Sequence, residues 1–428
     1  MLLVGAASAG AYASFAKSVP GGPMTVSTAT LTAPSALAAA NPCSSATTIS
    51  SSLSWTASSA SATSGYSILR STSATGTFNS VGTVSGINTT SYTDTISHAA
   101  AADNIYVAVK STNGMDVVSM ATNTKTANSG GANLNKPTNV AVTPDGTTAY
   151  LANSGANTVT PVTISDNTAG TPINVGSHAP TGVAITPDGT TAWVGDGTTV
   201  VPITVSSNTV GSAITVGFNA TAIAITPDGS TAWVAGQTKV ASLNLTTRSL
   251  GTTYTQAGAT FQAISISPDG TTAYLADSGG KKLWSLNLSS GVLTGVSLNI
   301  AAQAVALTPD GKTAWVVGGG TFQPVTLAGM TLGSAVVTSG ANFQGVAVSP
   351  NGCYVYGADS SGGNRLVVLN AVTGATVTTI ATDSAPSDVA TALPPVTYYY
   401  EVQATRNLWT SPVSNQGALS FGQPSQSS

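Results

Sequence analysis

The chain has 428 residues, and only 12 Lys+Arg and 15 Asp+Glu carry formal charge, which is 6% of the chain with a net of −3. An ordinary soluble domain carries about 25%. Nothing here provides a basic footprint for nucleic acid or a polybasic membrane patch. Two histidines, two cysteines and the single glutamate Glu401 leave few groups for acid–base or metal chemistry, so most enzyme classes are demoted. The 42% of hydrophobic residues argues for a folded chain, and the length for two or three domains.

Residues 1–16, MLLVGAASAGAYASFA, read as the apolar region of a secretory signal, with an Ala-x-Ala site at Ala11-Tyr12-Ala13. The usual positive flank is missing, since the first charge is Lys17. The segment is too short for a convincing membrane span, and no later stretch offers 18 uninterrupted apolar residues. The expectation is therefore a secreted or cell-surface protein with no membrane span after signal removal. The run AGAYASFA resembles the signal region of camelysin-like biofilm fibre and surface proteins. A linker, 17–32, follows.

Residues 33–97 carry five strand-like runs, including Ser52-Leu-Ser-Trp-Thr56 and Gly65-Tyr-Ser-Ile-Leu-Arg70. The frame LSWT…GYSILRS…TSYTDT resembles a fibronectin type III domain, which implies Trp55 as core tryptophan with Tyr66 and Ile68 pointing inward. That sandwich needs seven strands. Cys43 lies here, 310 residues before Cys353. Export would permit a disulfide, but the two cysteines fall in different predicted domains, so a bridge is not expected. Neither has metal-ligand neighbours.

A repeat then dominates. Val142-Thr-Pro-Asp-Gly-Thr-Thr-Ala-Tyr150 recurs as ITPDGTTAW, ITPDGSTAW, ISPDGTTAY, LTPDGKTAW and VSPNGCYVY, with prolines spaced 43, 40, 41, 41 and 41 residues apart. Each unit reads as four short strands, the signature of a β-propeller blade. Pro-Asp-Gly between two strands is turn chemistry, so Asp145, Asp188, Asp228, Asp269 and Asp310 are expected to be structural. The units resemble the YVTN-type propeller repeat of bacterial and archaeal surface-layer and cell-surface proteins.

Six such turns are visible. Ser384–Leu393 parallels the inner strand of the other units, while Ile105–Ser111 and Asp116–Met120 parallel their second and third strands. A seventh blade would thus join both ends of the propeller, over 98–393. Residues 394–420, with the YYYEV run and Asn407–Asn415, resemble the last two strands of the fibronectin type III domain, and Tyr398 is the candidate for its tyrosine corner. A polar tail, 421–428, ends the chain. The expected fold is all-β: a seven-bladed propeller inserted into a fibronectin type III-like sandwich. The competing parse gives Ile105–Asn123 to the sandwich, leaving six blades and orphaning the YYYEV segment.

The second-to-third-strand loops place Asn153, Asp196, Asp277 and Asp359 on one face. Such a ring suits a ligand, and equally suits plain hairpin turns. His98 and His178 stand alone, and no Ser/His/Asp order emerges. No catalytic residue, metal or cofactor is expected. The expected role is a non-enzymatic surface or matrix protein binding a surface protein or glycan, with no nucleic-acid partner. The alternatives are a self-assembling subunit of a fibre or surface layer, and a propeller lactonase or lyase.

Overall fold

The computed structural model describes residues 31–41, 43, 50–61, 63–97, 103–392, 396–406, 409–422 and 426–427, and their regular structure is antiparallel β-sheet. The signal-like segment 1–16, most of the linker and His98 lie outside the described residues. Two compact units emerge: Met1–Pro42, Thr48–Ser97 and Val396–Ser420 form the smaller, and Cys43–Thr47, His98–Pro395 and Phe421–Ser428 the larger.

In the smaller unit one sheet holds Ser35–Ala40, Ser50–Thr56 and Ser91–Thr95. The other holds Gly65–Ser71, Asn79–Ser85, Val396–Arg406, Trp409–Thr410 and Gly417–Phe421. Period-2 alternation aims one side of each strand into a shared core of Leu53, Trp55, Tyr66, Ile68, Tyr400 and Val402. Ile68 stands opposite Val402 and Tyr66 opposite Ala404, so residues over 300 positions apart form one hydrophobic layer. Trp55 packs edge-on against Tyr66 at 5.3 Å between ring centroids. Tyr400 is fully buried, and its hydroxyl meets Asp94 at 2.9 Å and Ser51 at 2.8 Å. Tyr398 is only partly buried, with the Arg70 guanidinium 5.1 Å from its ring centre.

Among the described residues the larger unit contains seven antiparallel sheets. Sheet 2 shows the plan: Pro180–Ile185, Thr191–Asp196, Thr199–Thr204, and a fourth strand broken into Thr209–Val210 and Ile214–Thr215. Sheets 1 and 3 to 6 repeat the first three strands, starting at Pro137–Val142, Ala222–Ile225, Phe261–Ile266, Ala304–Leu307 and Phe343–Val348; the fourth strand is broken likewise in sheets 1 and 5 and unbroken in sheets 3, 4 and 6. Sheet 7 draws on both ends of the unit, as Pro386–Ala390 pairs with Asn104–Val109, followed by Gly114–Ser119 and Thr124–Asn128. The first strands neighbour one another in order from sheet 1 to sheet 7 and back to sheet 1.

The cores lie between sheets. The third residue of every second strand is aromatic: Tyr106, Tyr150, Trp193, Trp233, Tyr274, Trp315 and Tyr356, each at most 8% exposed. Tyr150 packs with Val183, Val194 and Ile203 of sheet 2, and Trp193 with Ile223, Ile225 and Val234 of sheet 3. Trp233 reaches Ile264 and Leu275 of sheet 4, Tyr356 reaches Ile105 and Val107 of sheet 7, and Tyr106 reaches Val140 and Leu151 of sheet 1. The Pro-x-Gly turns interlock as well. Gly146, Gly189, Gly229, Gly270, Gly311 and Gly352 hold φ between 66° and 74°, the left-handed region that favours glycine. A Cβ on Gly189 would stand 3.4 Å from Pro144 of the previous sheet, and one on Gly311 would stand 3.1 Å from Pro268. Each proline thus covers the glycine of the next turn, a reason for the fixed spacing of the repeat.

Two expectations are corrected. Cys43 is bridged to Cys353, with Cα atoms 5.4 Å apart. Strand pattern had assigned the cysteines to separate domains, but Cys43 belongs with the larger unit and not with the strands that flank it in sequence. The end of the chain is also no free tail: Phe421 is 1% exposed, and Gln426–Ser427 pairs with Phe261–Ile266 of sheet 4. Reducing the disulfide, or Cys43→Ser, is expected to lower stability by about 2–4 kcal/mol, because a closure spanning 310 residues restrains the unfolded chain. Thermal melts with and without reductant measure this, and an unchanged midpoint would contradict it.

Candidate ligand face

The four residues singled out for the loop face end the second strands of sheets 1, 2, 4 and 6. Asn153, Asp196, Asp277 and Asp359 are 0%, 3%, 1% and 0% exposed. Each side chain turns back to cap the segment entering its own sheet. Asn153 Oδ1 accepts the Asn135 amide at 3.2 Å, and Asp196 Oδ1 the His178 amide at 3.0 Å. Asp277 Oδ1 accepts from Thr260 at 2.7 Å and Gly280 at 2.9 Å, while its Oδ2 takes the Trp284 indole N–H at 3.0 Å. Asp359 Oδ1 accepts from Asn342 at 2.8 Å and Ser361 at 3.0 Å, and its Oδ2 takes Arg365 Nε at 3.0 Å. Burial pushes the Asp359 carboxyl up, but these donors outweigh it and hold it below the ordinary value.

Sheets 3 and 5 solve the same problem by removing the side chain. A Cβ on Gly236 would meet the Asn219 carbonyl oxygen at 1.9 Å, and one on Gly318 would meet Ala301 O at 2.0 Å. Backbone thus sits where sheets 2, 4 and 6 put a carboxylate and sheet 1 an amide. In sheet 7 the equivalent acid comes from the third strand. Asp116, fully buried, accepts the Asp383 amide at 2.7 Å and Asn128 Nδ2 at 2.8 Å, and Lys125 pairs with both acids. Burial raises the Asp116 carboxyl above its ordinary value despite these contacts.

Asp388 is a polar residue that strand reasoning passed over. It stands on the first strand of sheet 7, where sheets 2 to 6 carry Gly182, Ala222, Ala263, Ala304 and Gly345. At 4% exposure it accepts Asn139 Nδ2 at 2.7 Å and the Val140 amide at 3.0 Å, both in sheet 1. Asn139 in turn accepts the Val183 amide of sheet 2 at 2.8 Å. The departure from Gly/Ala at this position was the signal in the repeat alignment. The residue before it is a half-buried hydroxyl or amide in every sheet: Thr138, Thr181, Thr221, Gln262, Gln303, Gln344 and Ser387. Thr181 donates to Ala220 O of the next sheet at 2.7 Å, Thr221 to Phe261 O at 2.8 Å and Ser387 to Pro137 O at 2.9 Å.

At the opposite end the turn aspartates close on themselves. Asp145 Oδ1 accepts Thr143 Oγ1 at 2.6 Å and the Thr147 amide at 3.0 Å. Asp188, Asp228, Asp269 and Asp310 repeat the pattern with Thr186, Thr226, Ser267 and Thr308. Burial opposes ionisation most strongly at Asp145 and Asp269, yet the hydroxyl and amide donors win, and at Asp188 and Asp228 the hydroxyl bond leads. All four sit below the ordinary carboxyl value.

His178 is exposed, with Nδ1 3.9 Å from Asp196 Oδ2. Among the described residues no three His, Cys, Asp or Glu stand together as a metal site. A cavity of about 420 Å³ opens at the seam of sheets 1 and 2, lined by Tyr150, Thr163, Pro161, Pro172 and Asn208, all uncharged. Tyr150 donates to Asn208 Oδ1 there at 2.7 Å.

No family model and no curated protein matches the chain. Solved structures do. The Kuenenia stuttgartiensis hydrazine synthase aligns with TM-score 0.58 and 18% identity, over 63% of this chain and 93% of that one. A functionally unknown protein from Desulfotomaculum acetoxidans DSM 771 aligns with TM-score 0.58 and 17% identity, over 68% and 99%. The Cps50 (Swd1) beta-propeller domain of Myceliophteria thermophila aligns with TM-score 0.52 and 12% identity, over 58% and 88%. The larger unit is a β-propeller. At these identities the likeness carries the fold alone.

Two predictions follow for the propeller. Carboxyls held below the usual 3.8 contribute stability that is present above that value and is lost as pH falls through their folded values. Asp116, shifted upward, opposes them singly. The melting midpoint should be level above about pH 5 and fall steeply below about pH 4; a midpoint that rises on acidification would refute this. Asp359→Ala, which strands two amides and Arg365, should cost about 3 kcal/mol in a denaturant titration. A change under about 0.5 kcal/mol, the scale of a surface substitution, would show that the clamp is dispensable.

Proposed function

We propose that the chain is an exported, non-enzymatic surface or matrix protein whose propeller and sandwich bind a surface protein or a glycan. The Cys43–Cys353 disulfide carries this reading, since such bonds persist outside the reducing cytosol. The use of the buried acids supports it too, because Asp196, Asp277 and Asp359 face their own backbone amides, not a reaction centre. Those bonds weigh against the lactonase or lyase reading. The finer architecture belongs to the same proposal: a seven-bladed, YVTN-type propeller inserted into a fibronectin type III-like sandwich. The circular order of the first strands and the pairing of Gly65–Ser71 with Val396–Arg406 support it.

A second reading, self-assembly into a fibre or layer, rests on the outer strands. Val210, Leu250, Leu332, Val337 and Val377 are exposed there. Thr376–Ala381, an outermost strand, has no charged residue to discourage edge pairing.

Fractionation of the source cells, with thiol labelling, tests the first reading. The expected result is an extracellular or wall-associated protein with no free thiol. A wholly cytoplasmic protein with two reactive thiols would overturn it. A glycan and matrix-component screen on the same material then asks for the ligand, and electron microscopy of concentrated protein asks for ordered assemblies.

A further inference from the structure

Each first strand of the propeller offers one edge to its own second strand and leaves the other toward the ring interior. In sheet 4 that inner edge is filled. Gln426–Ser427 runs antiparallel to Phe261–Ile266, with Ser427 opposite Ile264 and Gln426 opposite Ser265. The added strand also neighbours the first strands of sheets 2, 3 and 5. Its approach is anchored at the turn end, where the Gly422 amide donates to Pro350 O at 2.6 Å. Gly422 takes φ +85°, a bend that favours glycine. The acceptor strand is itself distinctive. Ser265 is buried where the six other first strands carry Ala141, Ala184, Ala224, Ala306, Ala347 and Ala390.

We propose that the inner edge of Phe261–Ile266 is a strand-addition site for an extended, uncharged peptide, and that its ligand, beside the chain's own Gln426–Ser427 segment, is the same segment of a second copy. Strand addition draws its affinity from backbone bonds and needs little from side chains, which fits a final stretch without a charged residue. Two paired residues make a weak tie that a local effective concentration on the order of millimolar holds closed. At comparable protein density a neighbour's terminus competes on equal terms. Exchange of one terminus into the next molecule is heterologous, so it extends into open chains. The inference stands apart from where the protein works or what else it binds.

The test uses the chain ended after Gly422, with a labelled peptide of residues 422–428. The peptide is expected to bind the shortened chain at least about tenfold more tightly than the intact one, as follows from displacing a millimolar internal competitor. Hydrogen exchange at residues 264–266 should be slow in the intact chain, fast after truncation and slow again with peptide. A peptide N-methylated at Gln426 and Ser427 keeps the side chains and loses the donors, and should not bind. Intact protein should associate as its concentration rises, and the shortened chain should not. Ser427→Pro in the intact chain should act like truncation, which covers a failure of the shortened chain to fold. No peptide binding, equal binding to both chains, or binding of the N-methylated peptide overturns the site; association that survives both truncation and Ser427→Pro overturns the second copy as ligand.

Discussion

The propeller depends on one packing relation: the aromatic third residue of each second strand is buried against the following sheet. A four-stranded sheet with apolar faces has no core of its own and must bury both faces on neighbours. Tyr106, Tyr150, Trp193, Trp233, Tyr274, Trp315 and Tyr356 each fill one such seam. The contribution is apolar area at about 25 cal/mol per Å². Hydrogen bonding is secondary here, since the indole N–H groups of Trp193 and Trp315 have no partner. The interlocked Pro and Gly turns add a second ring of contacts at one end, so neighbouring sheets are tied at two radii.

That arrangement determines what the few charges do. Short strands leave many chain reversals, and each reversal exposes amides that need acceptors. Asp145 and its four counterparts serve the turns at one end; Asn153, Asp196, Asp277 and Asp359 serve the entries at the other. Gly236 and Gly318 show that the carboxylate is one of two solutions, because backbone can occupy the same space. Asp277 and Asp359 each accept three donors, which takes up most of the acceptor sites of a carboxylate. On the outer strands apolar side chains such as Val337 and Val377 are left exposed.

The repeat was legible because its signals are local. Pro-Asp-Gly and a following aromatic strand recur at nearly constant spacing, and turn chemistry acts within a few residues. Three core positions of the smaller unit, Trp55, Tyr66 and Ile68, were expected from the resemblance of their frame to a fibronectin type III domain, and all are buried. The disulfide was not legible, because pairing residues 310 apart requires knowing which unit Cys43 joins. The loop acids were read by type but not by direction. A residue ending a strand can face solvent or its own backbone, and only the path of the entering segment decides. Asp116 and Asp388 escaped because an acid inside an apolar strand reads as an interruption until its partner, Asp383 or Asn139, is placed beside it.

The chain ends bear on how the ring is completed. Sheets 1 to 3, 5 and 6 each form from a contiguous stretch, and so do the first four strands of sheet 4, so those pairings are local. Sheet 7 must bring Pro386–Ala390 to Asn104–Val109, a closure of over 270 residues whose entropy is lost before its contacts form. Three further non-local ties occur in the larger unit. Asp388 crosses the seam to Asn139, adding charge-assisted bonds at a buried position. The disulfide fixes Cys43 to the turn of sheet 6, next to the seam in ring order. The terminal strand occupies an inner edge of sheet 4 and engages the sheet 6 turn through Gly422. Two of these ties thus lie at or beside the sheet 7 seam, and the third links the turn of sheet 6 to the inner edge of sheet 4.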